Sequence, residues 1–421
     1  MEQVFFGGYY GNLHTTLPLF NVVEGSELWR TPDFYVRQLV STDGVIKQLR
    51  VRLDGAPGAG KKYTFVLILN GNPTALTFDI ENLETVGGDM VNEVVVTGAD
   101  YVCIRCTPTG TPTARHATWT SVFEGDNPKE SLILGNTYEN MNKLVIEYSQ
   151  VMTASSNFTA TENDFRQVCP TDGTIKNFYV QLNIDPGTPP DAYRFTLRKG
   201  PPAGPQVSQT LTVTITANAI TGSDLVNSFA VAAGDILTMM IEPLNTPLVT
   251  PRPFWGLTFV ADIDGESIVL GGSYQGLDRW NTKYNILTGR NSLGWAVENQ
   301  RYQLGQVCTL KKLYMLLSAA PGAGKHWDFN LRFNGAASNV VTTISDAATT
   351  GNSGALEDDV ALDEYVDLEA DPDTIPDAAD AYWGFVCYIA AGWTGKISGV
   401  VDPDEIAGVS KVNIAEVKGV A

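Results

Sequence analysis

The sequence is poor in positive charge. Its 421 residues carry 28 Lys and Arg against 47 Asp and Glu, a net charge of −19. A chain this acidic repels phosphate backbones, which excludes nucleic-acid binding driven by charge. Histidine is scarce: His14, His116 and His326 are the only three, and no two stand at a metal-ligand spacing. Five cysteines is an odd number, which argues against a disulfide framework. Cys103 and Cys106 form a C-x-x-C, but their flanks read as a strand, where residues three apart face opposite sides. All five are therefore expected as buried free thiols. No apolar run reaches the roughly eighteen residues of a membrane span. The first eight residues lack the basic and apolar regions of a secretory leader. The chain is thus expected to be made in a cytoplasm, with any route out of it a non-standard one.

What the sequence does have is repetition. Phe6-Gly7-Gly8-Tyr9-Tyr10 returns as Leu134-Gly135-Asn136-Thr137-Tyr138 and as Leu270-Gly271-Gly272-Ser273-Tyr274, at offsets of 128 and 136 residues. Arg37-Gln38-Leu39 with Thr42-Asp43-Gly44-Val45-Ile46-Lys47 matches Arg166-Gln167-Val168 with Thr171-Asp172-Gly173-Thr174-Ile175-Lys176. The third copy keeps Gln306-Val307-Cys308 and Leu310-Lys311-Lys312. Paired prolines follow in each copy (Pro108 and Pro112, Pro243 and Pro247, Pro372 and Pro376), and then a tryptophan: Trp119, Trp255, Trp383. Landmarks kept in one order three times mark an internal repeat. The units run 1–125, 126–264 and 265–400, leaving 401–421 as a C-terminal tail or arm.

Each unit strings together short segments rich in Val, Ile, Thr, Phe and Tyr, punctuated by Gly, Pro and Asn. Thr210-Leu211-Thr212-Val213-Thr214-Ile215-Thr216 alternates polar and apolar, the period of a half-buried strand. No long stretch shows the helical period. About eight strands in ~130 residues predict an all-β protein of three tandem β-sandwiches. Jelly-roll order is favoured by strand count, with immunoglobulin-like order as the alternative. The repeated tryptophan is expected to plug each sandwich core.

Candidate chemistry is thin. Gly55-Ala56-Pro57-Gly58-Ala59-Gly60-Lys61 has the spacing of a phosphate-binding loop. It continues into Lys62 and a strand rather than Ser or Thr and a helix, so it reads as an inter-strand loop. No nucleophile elbow is present, and no spacing singles out a carboxylate pair for hydrolysis. No catalytic residue, cofactor or metal is assigned. The run from Glu357 to Asp380 holds eleven carboxylates without a Lys or Arg. It reads as a solvated loop and edge strand, with calcium binding as the alternative. Trp280, Tyr284 and Trp295 are the candidate glycan-facing aromatics. Phe5 and Phe6 near the start, and Val409, Val412 and Ile414 near the end, are candidate docking arms that could add a strand to a neighbour.

The wording of each unit resembles tandem β-sandwich repeats in structural proteins of tailed bacteriophage virions. The phrases that carry this are Ala56-Pro57-Gly58-Ala59-Gly60-Lys61-Lys62-Tyr63-Thr64-Phe65, Tyr193-Arg194-Phe195-Thr196-Leu197-Arg198-Lys199, and Thr221-Gly222-Ser223-Asp224 leading to Val231-Ala232-Ala233-Gly234-Asp235. The resemblance implies a non-enzymatic virion component: a capsid decoration protein, minor capsid protein or fibre, made in the host cytoplasm. The partners it implies are other copies of the chain, as in a trimer, and other capsid or tail proteins. Neither nucleic acid nor membrane is expected as a partner. The competing expectations are a carbohydrate- or receptor-binding adhesin, with a host-surface glycan as ligand, and a subunit of an extracellular filament.

Overall fold

A computed structural model describes residues 1–389, except 155–156 and 289–290, and beyond them only four two-residue strands. Val409 lies in the last of these strands, while Val412 and Ile414 lie outside the described residues. The protein is all-β, built as tandem β-sandwiches.

Residues 2–125 supply β1 (Glu2–Tyr9), β2 (Leu19–Asn21), β3 (Gln38–Leu39), β4 (Gly44–Leu53), β5 (Gly58–Leu69), β6 (Asn72–Asn82), β7 (Val86–Val96), β8 (Tyr101–Thr109) and β9 (Ala117–Gly125). One sheet runs β1-β9-β4-β7 and the facing sheet β2-β8-β5-β6, with β3 also on β8. Every pairing is antiparallel. Outer strands of the two sheets are joined by crossovers, which is jelly-roll order and not the immunoglobulin one.

The order repeats. The next pair of sheets uses β10 (Glu130–Asn136), β11 (Glu147–Ser149), β12 (Gln167–Val168), β13 (Gly173–Leu182), β14 (Ala192–Gly200), β15 (Val207–Thr216), β16 (Thr221–Val231), β17 (Ile236–Leu244) and β18 (Pro253–Ala261). The last uses β19 (Glu266–Ser273), β20 (Lys283–Asn285), β21 (Gln303–Leu304), β22 (Cys308–Leu317), β23 (Gly322–Phe333), β24 (Ala336–Asp346), β25 (Thr350–Asn352), β26 (Glu357–Val360), β27 (Tyr365–Asp373) and β28 (Ala381–Tyr388). Here β25 and β26 together stand where a single strand stood before. In β15, Leu211, Val213 and Ile215 are buried, as the alternation predicts. The Gly55–Lys61 segment is the turn from β4 into the start of β5, with no helix after it.

The repeated tryptophans are core plugs. Trp119, Trp255 and Trp383 are buried, and each indole Nε1 donates to a backbone carbonyl: Val23 at 2.9 Å, Val151 at 2.7 Å and Leu287 at 2.8 Å. The indole lies over the neighbouring first strand so closely that only glycine fits beneath it. A Cβ on Gly7, Gly135 or Gly271 would stand 2.0, 2.1 or 2.2 Å from that nitrogen. This explains why the glycine and tryptophan landmarks recur together. The five cysteines are all free and buried, as expected. Two of them replace a steric pair. Gly44 faces the Phe123 ring and Gly173 the Phe259 ring, while the third sandwich has Cys308 against Cys387 at those places.

The sandwiches close into a ring. The first strands β1, β10 and β19 contact one another at its centre. Phe5, Ile133 and Val269 pack into their own cores, while the residues on either side of each pack into a neighbour's. Leu132 and Leu134 join the core of the first sandwich, Ile268 and Leu270 that of the second, and Val4 and Phe6 that of the third. The side chain of Gln3 pairs with the backbone of Leu132, at 2.8 and 2.7 Å. Phe5 and Phe6 are therefore not a docking arm. Both are fully buried, because β1 is covered on its two faces.

Candidate binding site at the closing seam

Three seams join the ring, and each is built alike. The segment around β3 of the first sandwich lies on β18 of the second. The segment around β12 of the second lies on β28 of the third, and that around β21 of the third on β1 and β9 of the first. Backbones approach closely: a Cβ on Gly256 would sit 2.0 Å from the Leu39 carbonyl oxygen, and one on Gly384 1.9 Å from that of Val168. The closing seam is held by an Arg50–Asp363 ion pair. Arg52 adds a 2.8 Å bond to the Asp363 carbonyl, and Gln303 a 3.0 Å bond to the Phe6 carbonyl.

Side chains fill the place beside the core tryptophan at two seams and leave it open at the third. The position before each core tryptophan is Thr118, Phe254 or Tyr382. At the first seam Phe254 meets Tyr101, Tyr35 meets Tyr138 at 5.1 Å, and Arg30 and Arg252 stack over Tyr138 at 3.6 and 5.4 Å. At the second, Arg166 lies 4.8 Å over Tyr382. At the closing seam the ring is missing, because Thr118 stands there. The result is a pocket of about 250 Å³, with an adjoining one of about 200 Å³ that shares Tyr9, Tyr10, Gln300 and Tyr302.

The pocket's walls are aromatic and its mouth is polar. Tyr302 stacks on Tyr365 with centroids 4.4 Å apart, and Arg52 lies 4.6 Å over the Tyr365 ring. Tyr10, exposed, packs against His116 at 4.2 Å. His116 Nδ1 is 3.3 Å from Asp54 Oδ2, and the His116 backbone N–H donates to Asp54 at 3.0 Å. Asn299 and Gln300 reach the rim from the third sandwich. The arrangement offers flat apolar faces, carboxylate and amide acceptors, and amide and guanidinium donors. It lacks a positioned nucleophile–base pair.

The aromatics expected to face a glycan do not form one platform. Trp280 is exposed, at 68%. Tyr284 is half-buried beside Glu369 and Arg332, and burial with that carboxylate pushes its hydroxyl up to about 12. Trp295 turns inward, its ring 5.8 Å from Trp383, just as Trp29 lies 5.6 Å from Trp119. Its place as a core partner follows from the repeat.

The acidic run is spread along β26, β27 and the loops around them. Among the described residues no group of three or more His, Cys, Asp or Glu is placed to hold a metal ion. Asp367 is its outlier: fully buried, with neither oxygen hydrogen-bonded. Burial pushes its carboxyl up to about 9, reinforced by Glu298 and opposed by Arg332. Among the described residues no helix is long and apolar enough to cross a membrane.

The sequence reading missed the pocket residues. Thr118 carried a signal, as the one small side chain in a position otherwise aromatic. Its meaning depended on the seam, which no single unit reveals. No protein-family model matches the chain, and no curated protein matches its sequence.

Proposed function

We propose that this chain is a non-enzymatic structural component of a bacteriophage particle, exposed on its surface as a capsid decoration, minor capsid or fibre protein. The observation that supports this reading is the ring. One chain supplies the threefold-like arrangement of jelly rolls that an oligomer of single sandwiches would otherwise have to assemble. Its first strands interlock the three cores by burying apolar side chains on both faces. Three similar outer surfaces can engage repeated neighbours, and linked weak contacts add up to avidity. The partners are then other capsid or tail proteins, with further copies of the chain as an addition to the ring. The charge of −19 keeps the protein soluble and apart from packaged DNA.

Light scattering on the purified protein, with and without isolated particles from the same source, tests this. The expected result is a defined species that moves onto the particles. A protein that stays in solution at every particle concentration overturns the reading.

A further inference from the structure

We infer that the pocket at the closing seam binds an uncharged hexopyranose residue of a surface glycan. This goes beyond the structural role and does not depend on it, because its test needs no particle.

The seams are equivalent in backbone and differ in side chains, so the comparison among them is internal. Phe254 and Tyr382 fill the place that Thr118 leaves empty. Gln300 replaces the Tyr35 that packs on Tyr138 at the first seam. The first seam also holds a space of about 260 Å³, but its lining, from Leu39 and Ala99 to Tyr179 and Ser223, has one aromatic ring and no charged side chain; the aromatic-walled opening beside Thr118 belongs to the closing seam.

Its chemistry narrows the occupant. A pyranose presents a face of C–H groups and a rim of hydroxyls. Tyrosine faces suit the first, and mixed donors and acceptors suit the second. Tyr10 and Tyr302 supply such rings. Asp54, Asn299 and Gln300 bring acceptors, and Arg52 with the two amides brings donors. The Asn299 and Gln300 side chains make no hydrogen bond among the described residues, so both are available. Arg52 and Asp54 offset each other in charge, which disfavours a phosphate or a strongly anionic ligand. The two adjoining spaces of about 250 and 200 Å³ each fall below the ligand-pocket range of roughly 300–1,000 Å³ and reach its small end only together, which suits one or two sugar rings. Tyr10 and Asn299 are exposed, so a longer chain can continue outward.

The test uses the full chain. Saturation-transfer NMR with methyl glucoside, galactoside and mannoside is run beside an array of bacterial surface glycans. The same measurements are made on Thr118→Tyr, which installs the residue already accommodated at the second seam. The expected result is saturation transfer from the protein to at least one glycoside. Its affinity falls at least about tenfold in T118Y, with an unchanged melting temperature. If T118Y melts early, Tyr10→Ala and Asn299→Ala, both at the surface, give the same reading. No binding by the intact protein overturns the inference. So does binding that survives T118Y but disappears in Trp280→Ala.

Discussion

Asp367 should make the protein lose stability as the pH rises, and Asp367→Asn should remove that loss. Asp367 lies opposite Arg332 in the β23–β27 ladder. That arginine is already engaged: it reaches Glu298 at 3.1 Å, Glu369 at 2.8 Å and the Gly335 carbonyl. One cation thus serves three carboxylates, and the buried one makes no hydrogen bond to it. The second sandwich shows the satisfied version. There Thr238 takes the place of Asp367, donating to Glu162 at 2.7 Å, while Arg198 pairs with the same Glu162 at 2.6 Å. With a folded pKa pushed up to about 9 against ~3.9 unfolded, the folded state binds the extra proton. The stabilisation is complete below about pH 4 and is lost as the pH rises through 9. The slope is at most ~1.4 kcal/mol per pH unit. Between pH 5 and 8 that caps the loss at about 4 kcal/mol, and relaxation around the carboxylate reduces it toward about 2. Asn keeps the shape and cannot ionise. The variant's stability relative to the wild type should rise by about 2–4 kcal/mol between pH 5 and pH 8. Urea melts read by tryptophan fluorescence at several pH values measure this, and other titrating groups cancel in the difference. Parallel profiles for the two proteins, or a relative stability that falls over that range, would refute the reasoning.

Three further outcomes follow from packing and burial. Gly135→Ala drives a methyl into the Trp255 indole, 2.1 Å from Nε1, and should cost about 3 kcal/mol or more in a denaturant melt. Gly384→Ala presses on the Val168 carbonyl at 1.9 Å. It should loosen the second seam by about 1–3 kcal/mol and show as faster limited proteolysis between the second and third sandwiches. The thiols should be inert to a thiol reagent in the native protein and all five should react in guanidinium. Burial raises Cys103 and Cys106 and pushes Cys169 up to about 12, while a hydrogen bond with Cys387, together with burial, raises Cys308.

What the sequence revealed and what it hid separate along a physical line. Features set within one sandwich were legible, because strand period, turn residues and the glycine–tryptophan contact leave local patterns that recur with the repeat. Features set between sandwiches were not, and Val4-Phe5-Phe6 shows why. A strand with one dry face alternates, whereas a strand covered on both faces is apolar throughout. The run was therefore a sign of burial on two sides, and its recurrence as Leu132-Ile133-Leu134 and Ile268-Val269-Leu270 placed it in every sandwich. Read alone, near the start of the chain, it resembled a free arm. Read three times, it required a second partner for each first strand, and only the neighbouring sandwiches provide one. Three sandwiches that each lend a strand face to the preceding core close on themselves when the first strand of the first reaches the core of the third. The ring is thus implied by the same apolar runs, and the pocket follows in turn. A ring of similar units has as many seams as units, and wherever one seam carries a smaller side chain than the others, as at Thr118, space remains.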